Sequence, residues 1–224
     1  MTNKKKAAAE ASLKYIENGM TIGLGSGSTV YYLLEGLSEM VKKGLHVTGV
    51  PTSVKTEKWA KKFGIPLTEI KEDTQIDIAI DGADYVDRDY NLLKGGGGSL
   101  VREKLVDAIA EKFIVIVDDS KMVNQFKDTS LPVEILPFAW KKTSQRIKRL
   151  GYQAELRQNN DEIFISDNGN FILDCRFELM ENPLNSHRLL KQQLGVIETG
   201  LFINMADLII ISGTEKVVER YANR

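Results

Sequence analysis

The stretch IDIAIDGADYVDRDYNLLKGGGGSLVREK, Ile76–Lys104, decides how the rest of the chain is read. Isoleucine recurs at every second position from Ile76 to Ile80, which predicts a buried strand. Two carboxylates, Asp81 and Asp84, follow at once in an Asp-Gly-Ala-Asp turn, with Gly82 and Ala83 between them. Next come Lys94, the glycines Gly95 to Gly98, and a helix start at Ser99 that carries Glu103. Consecutive glycines lose much backbone entropy on ordering, so a folded chain keeps them where main chain approaches a ligand closely or aims N–H groups at an anion. Acid, base and bare amides in one segment point to a small, oxygen-rich, negatively charged ligand.

Outward from this stretch, short apolar runs alternate with helical ones. Thr21–Leu24, His46–Val50, Ile76–Ile80, Phe113–Val117 and Ala206–Ser212 read as strands. Lys4–Glu17, Val30–Val41, Ser53–Phe63 and Ser99–Lys112 read as helices, Ile65–Ile70 as a further short strand, and Glu215 as the start of a closing helix. That alternation predicts an α/β fold, a doubly wound, Rossmann-like and mostly parallel sheet with helices on both faces. From Leu131 the rhythm changes. Pro132–Pro137, Tyr152–Leu156, Ile163–Ser166, Asn170–Leu173 and Gly195–Thr199 read as strands, with helices over Phe138–Leu150 and Leu184–Leu194. A βαββαβ order of this kind predicts an inserted small α+β, ferredoxin-like domain. The expected division is residues 1–130 plus 206–224 for the larger domain and 131–205 for the smaller.

Composition narrows the function. The 224 residues carry a net charge of −1, without the positive field that non-specific nucleic-acid binding requires. No apolar run approaches the ~20 residues of a membrane helix. The N-terminus lacks the apolar centre of a signal peptide. The single cysteine, Cys175, lies in an alternating strand-like run and reads as a packing residue. The expectation is a cytoplasmic protein with neither nucleic-acid nor membrane partner. His46 and His187 are in no ligand spacing with Cys or acids, so no metal site is expected. No Gly-x-Ser-x-Gly elbow is present.

Three segments follow predicted parallel strands and so belong at one sheet edge, where open α/β sheets bind ligands: Gly25–Thr29, Asp81–Gly98 and Asp118–Lys121. Ser26, Gly27, Ser28 and Thr29 supply hydroxyls and a helix N-terminus, a cradle for phosphate; a tight strand-to-helix turn with Ser/Thr capping is the plainer alternative. Gly23-Leu-Gly25 begins a dinucleotide fingerprint. Its third glycine position is Ser28, however, and the next strand, HVTGVPTS, ends in no acid. Asp81 and Asp84 could face one ligand or serve only their own turn. Asp87 and Asp89 read as solvated loop charges. Glu103 lies in the first turn of its helix, and spacing alone would place it with Arg102, Lys104 and Asp107 on a wet face. The glycine run beside it favours the sheet's ligand edge instead. Lys121 reads as a second phosphate contact or a surface lysine.

The motifs GLGSGST (Gly23–Thr29), DGAD (Asp81–Asp84), KGGGGSLVREK (Lys94–Lys104), DDSK (Asp118–Lys121), LPVEILPFA (Leu131–Ala139) and SDNGNFILD (Ser166–Asp174) resemble ribose-5-phosphate isomerase, type A. Nearly the whole chain takes part. The differences are Ser26 where Thr is common and Tyr85 where Glu usually follows DGAD. The resemblance implies interconversion of D-ribose 5-phosphate and D-ribulose 5-phosphate through a cis-enediolate, in the non-oxidative pentose phosphate pathway, with no metal or cofactor. It implies Glu103 as the proton-transferring base and Lys94 as the stabiliser of the enediolate. Asp81 and Asp84 would open the sugar ring, with Gly82, Ala83, Gly95, Gly96 and Gly97 lining the sugar. Ser26 to Thr29 and Lys121 would hold the phosphate, with Lys5 assisting. A homodimer or homotetramer, formed through the small domain acting also as a lid, is implied as well. A related sugar-phosphate isomerase or deaminase, or a sensor that binds without turnover, are the competing readings.

Overall fold

The structure is a computed structural model, and it describes residues 3–222. In chain order the elements begin with α1 (Lys4–Ser12), β1 (Thr21–Leu24), α2 (Ser28–Lys42), β2 (Thr48–Pro51), α3 (Val54–Lys62) and β3 (Ile76–Asp81). Next come β4 (Tyr85–Val86), β5 (Leu92–Leu93), α4 (Leu100–Ile109), β6 (Ala110–Asp118), β7 (Lys127–Ile135), α5 (Trp140–Arg149) and β8 (Gln153–Leu156). Then follow β9 (Gln158–Asn159), β10 (Glu162–Ile163), β11 (Phe171–Leu179), α6 (Pro183–Lys191), β12 (Val196–Thr199), β13 (Leu201–Phe202), β14 (Leu208–Ser212) and β15 (Val217–Tyr221).

The chain forms two compact units. The first comprises residues up to Ala83, Arg102–Met122 and the residues from Asn204; the second comprises Asp84–Val101 and Val123–Ile203. In the first, a six-stranded sheet runs in the order β15-β14-β6-β3-β1-β2. All neighbours pair in parallel except the edge strand β15, which is antiparallel to β14. Parallel strands buried on both faces become almost continuously apolar, and FIVIV (Phe113–Val117) and LIII (Leu208–Ile211) fit that rule.

One face of this sheet carries Ile22, Leu24, Ile78, Ile80, Ile114 and Ile116, packed with Ala8 and Ala9 of α1, Leu33, Leu34 and Leu37 of α2, and Ala60 of α3. Each of these leucines is fully buried, worth about 1.5–3 kcal/mol apiece. On the opposite face of β1, a Cβ at Gly23 would stand 2.6 Å from Val106 of α4 and 2.9 Å from that of Ala79. Gly23 therefore serves close helix-to-sheet packing, a role independent of any dinucleotide.

Because β1 pairs with β2 on one side and β3 on the other, the strand order reverses direction beside β1, the place where such sheets open a crevice at their carboxyl ends. Gly25, just past β1, donates its N–H to the Ile80 carbonyl of β3 at 3.0 Å. The turns after β1 and β3 are thus neighbours.

In the second unit, β7-α5-β8-β11-α6-β12 realises the βαββαβ order, and its four strands form an antiparallel sheet ordered β12-β7-β11-β8. Leu131, Val133, Ile135, Leu173 and Cys175 alternate inward to a core shared with Ile147 of α5 and Leu190 of α6. A small three-stranded sheet, β13-β5-β4, completes this unit.

Five expectations change. The closing helix from Glu215 is instead β15, whose Val217–Tyr221 pairs with Ser212–Leu208; the edge of β14 supplies backbone partners that outweigh helix propensity. The helix expected to reach Lys112 stops at Ile109, because Ala110 already pairs with Ile76 of β3. Ile65–Ile70 contributes only an isolated bridge, Gly49 to Leu67. Pro132 lies within β7 and does not begin it, its carbonyl accepting from Gly200 N–H at 2.7 Å. Residues 84–101, assigned above to the larger domain, are grouped with the second unit, where β5 pairs with β4 on one side and β13 on the other.

Candidate active site

In the first unit the site is built on Asp81, at the last position of β3. Its side chain is fully buried, and a buried carboxylate needs donors. Two main-chain amides supply them: Ser26 N–H reaches Oδ1 at 2.8 Å and Gly82 N–H at 2.6 Å. Glycine at position 25 makes this approach possible, since a Cβ there would lie 2.1 Å from the Asp81 carboxyl. The Gly25 carbonyl accepts from Thr56 Oγ1 at 2.8 Å, and the Ser26 and Thr52 hydroxyls share a 2.9 Å hydrogen bond.

α2 starts at Ser28 behind Gly27, which holds φ 92° and offers no side-chain cap. Its first amides are therefore without a side-chain acceptor at a fifteen-residue helix's positive end, an arrangement suited to an anion. Gly27 and Ser28 are exposed, and Thr29 is half-buried. Lys5 donates to Ser28 Oγ at 2.9 Å, so the start of α1 delivers a cation to this corner. Burial raises the Asp118 carboxyl, but hydrogen bonds from Ser120 and the charges of Lys121 and Lys5 outweigh it and hold the group below its ordinary range. Lys121 thus belongs to the same cationic corner, in the turn after β6. An anion there would meet two lysines and uncapped helix amides.

Glu103 lies in the first turn of α4 and is 5% exposed; Asp107, one turn on, is 3% exposed. The wet-face alternative is overturned for both.

In the second unit, Asp84 takes its main-chain position from β4 and β5, its N–H donating to the Leu93 carbonyl at 2.9 Å. Its Oδ2 accepts from Gly96 N–H at 2.8 Å. Lys94 is buried, 3% exposed, with Nζ 5.2 Å from the Phe202 ring centroid, a cation–π distance. Its N–H donates to Gly200, where a Cβ would strike the Lys94 carbonyl at 2.2 Å. Gly95 to Gly98 form a turn closed by Gly98 N–H to Gly95 O at 3.0 Å, with φ of 97° at Gly95 and 85° at Gly98. Both positions favour glycine for that reason. Gly96 and Gly97 are exposed.

Asp87 corrects the sequence reading. It is buried, not solvated, and accepts from the Asp89 and Asn91 amides and from Asn91 Nδ2 to close the 87–91 loop. Burial raises its carboxyl above the ordinary range despite those bonds. Asp89 is exposed, as expected. Thr52 and Thr56 were not singled out from sequence, and Asp118 only as the start of the Asp118–Lys121 segment; the hydroxyls of VPTS (Val50–Ser53), at the end of a parallel strand, were the available signal for Thr52.

Among the described residues, no group of three or more His, Cys, Asp or Glu is placed to hold a metal, and no helix is long and apolar enough to cross a membrane. The family described as ribose 5-phosphate isomerase A (phosphoriboisomerase A) matches residues 48–216. Ribose-5-phosphate isomerase A of Bacillus mycoides is 46% identical over 222 residues, covering 99% of this chain and 100% of that protein. The corresponding protein of Picrophilus torridus is 48% identical over 207 residues, 92% of each chain. Among solved structures, ribose 5-phosphate isomerase from Plasmodium falciparum superposes with a TM-score of 0.95 at 38% identity, covering 100% of both chains. A D-ribose-5-phosphate isomerase in complex with phospho-erythronic acid gives 0.94, also at 38% identity, over 99% of this chain and 100% of that one. By its sequence and by its fold, the chain belongs to the ribose 5-phosphate isomerase A family.

Proposed function

We propose that this protein interconverts D-ribose 5-phosphate and D-ribulose 5-phosphate, and that the residues described above serve that one substrate. Family membership supports the reaction, and the burial of Glu103 is the observation that carries the residue assignment. A carboxylate shielded from water at a helix start is suited to act as a base of adjustable strength.

Glu103 takes the C2 proton of the open-chain aldose and returns it to C1. The electron pair passes through an enediolate, so the aldehyde is reduced as C2 is oxidised and no external electron acceptor enters. Lys94, supported by nearby main-chain amides, balances the enediolate charge, a stabilisation that is strongest where water is excluded. Asp81 and Asp84 exchange protons with the ring oxygen and C1 hydroxyl to open the sugar. They are three residues apart in the chain, at most about 11 Å between Cα atoms, so one sugar is within reach of both. Gly82, Ala83 and Gly95 to Gly97 line the sugar. The phosphate is held by Ser26, Gly27, Ser28 and Thr29 with Lys121 and Lys5, as the uncapped α2 terminus and its lysines support.

The test is Glu103→Gln. Ketose formation should fall by about 10²–10⁴-fold while competitive inhibition by inorganic phosphate persists, and retention of more than about half the wild-type rate would sink the assignment. Self-association through the second unit belongs to the same proposal. Its support is the exposure of Leu136 (45%), Phe138 (89%) and Leu194 (76%) on that unit. A cytoplasmic location is supported by the single unpaired cysteine, Cys175.

A further inference from the structure

Arg157 follows directly on β8, and its guanidinium is shared between two kinds of partner. Nε donates to Asp174 Oδ2 at 2.9 Å while Nη2 donates to Oδ1, a two-pronged ion pair with a strand residue of β11. Nη1 donates to the Gly95 carbonyl at 2.9 Å and the Gly96 carbonyl at 3.2 Å. The Arg157 side chain is 13% exposed, and its Cζ lies 5.8 Å from the Phe164 ring centroid. That same ring fills the space beside Gly98, where a Cβ would stand 2.3 Å from Phe164 Cζ. The glycine turn is thus seated on Phe164 and fastened through its carbonyls by an arginine that Asp174 anchors.

Fastening the carbonyls fixes the amides. A trans peptide is planar, with its C=O and N–H pointing in opposite directions. When the Gly95 carbonyl faces the guanidinium, Gly96 N–H must face away, and it does, donating to Asp84 Oδ2 at 2.8 Å. When the Gly96 carbonyl faces the guanidinium, Gly97 N–H is turned outward by the same rule. A Cβ added at Gly97 would meet nothing within 4 Å, and the residue is exposed, so Gly97 borders open space. Without the cation, the Gly96–Gly97 peptide would lose the donor to its carbonyl and could flip, since glycine accepts either sign of φ, while the Gly95–Gly96 peptide would keep only its bonds to Gly98 N–H and Asp84.

We infer that Arg157 is a positioning residue for the isomerisation: it orients the Gly96 and Gly97 amides, and with them the Asp84 carboxylate, for the sugar. This rests on the assignment of those residues to the sugar in the proposed function. Arg157 touches no reacting atom. Lysine cannot replace it, because a single ammonium cannot grip a carboxylate with two prongs and two carbonyls at once.

Arg157→Ala, Arg157→Lys, Asp174→Asn and Glu103→Gln are compared in the full chain. Turnover by Arg157→Ala should fall about 10- to 100-fold, the scale of an ångström-sized misplacement, and Arg157→Lys should recover little of it. Inhibition by inorganic phosphate, which reads the α2 corner alone, should stay within about twofold of wild type. Added ethylguanidinium should restore a substantial part of the lost turnover to Arg157→Ala, and ethylammonium should not. Arg157→Ala that turns over normally, or that is merely less heat-stable and shows no guanidinium rescue, overturns the inference. If that variant does not fold, Asp174→Asn decides, with several-fold slower turnover expected and an unchanged rate overturning it. Failure of the underlying assignment looks different: Glu103→Gln would then stay active whatever Arg157 does.

Discussion

Replacing Gly25 with alanine tests how closely the turn after β1 and the carboxylate after β3 are built together. The new Cβ would stand 2.1 Å from Asp81 Cγ and Oδ1 and 2.4 Å from its Cβ, whereas ordinary contact begins at 3.4 Å. Gly25 cannot retreat freely, because its N–H is bound to Ile80 and its carbonyl to Thr56 Oγ1. Asp81 must therefore move by about 1 Å or more, stretching the hydrogen bonds from Ser26 and Gly82 to a fully buried carboxyl. Overpacking costs about 1–3 kcal/mol and each charge-assisted bond about 1.5–3, so with partial relaxation the loss should be about 3–5 kcal/mol. At about 2–4 °C per kcal/mol for a chain of this size, the melting temperature should drop by about 6–20 °C. Ketose formation should fall by about 10²-fold or more, since a displaced Asp81 is misplaced for the sugar.

Thermal unfolding and a coupled ketose assay measure both effects. Putting the same substitution into an Asp81→Gly background should remove most of its stability cost, to under about 1 kcal/mol, because the clashing atoms are gone. Gly27→Ala is the contrasting control: nothing lies within 4 Å of its Cβ, so only the backbone strain of φ 92° with ψ 178°, a region almost restricted to glycine, remains, about 1–3 kcal/mol. A Gly25→Ala protein that melts within about 1 °C of wild type and turns over normally would refute the reasoning.

Two further outcomes follow from other groups. Glu134 is fully buried and its Oε1 accepts from Ser166 Oγ, Asn168 Nδ2 and Asn170 Nδ2, so Glu134→Ala should lose about 2–5 kcal/mol in denaturant titration while Glu134→Gln, which keeps an acceptor, should lose less than half of that. Asp118 is held below the ordinary carboxylate range in the folded state, so its contribution is present above about pH 4 and lost as pH falls through the folded value. The difference in melting temperature between wild type and Asp118→Asn should accordingly be largest near neutrality and shrink steadily in acid.

The parallel strands were legible because burial on both faces leaves an unmistakable apolar run, as at Phe113–Val117 and Leu208–Ile211. The sheet-edge rule also placed Gly25–Ser26 beside Asp81, a pairing that the Ser26 amide realises. Segments whose partner lies far away in sequence were harder. Val217, Val218 and Tyr221 suit a strand, but Glu215, Lys216, Glu219 and Arg220 beside and among them mask the pattern, and the edge of β14 makes the segment a strand. β4 and β5 are two residues each, too short for any periodicity to register. Burial of single acids was the other hidden quantity. Asp87 and Asp89 sit in the same polar loop, yet one is enclosed by Asn91 and the other faces water. Arg157 carried no signal, because its partners, two carbonyls some sixty residues earlier, are backbone atoms common to every residue.

β14 lies between β6 and β15, inside the larger sheet, although β7 to β13 separate it from β6 in the chain. During synthesis on the ribosome, β6 must then wait with one flank unpaired until β14 has followed the whole stretch β7 to β13. An arrested or truncated product would present the apolar Phe113–Val117 ribbon as a template for pairing between chains. For this architecture, the arrival of β14 and the protection of that flank from aggregation are one event.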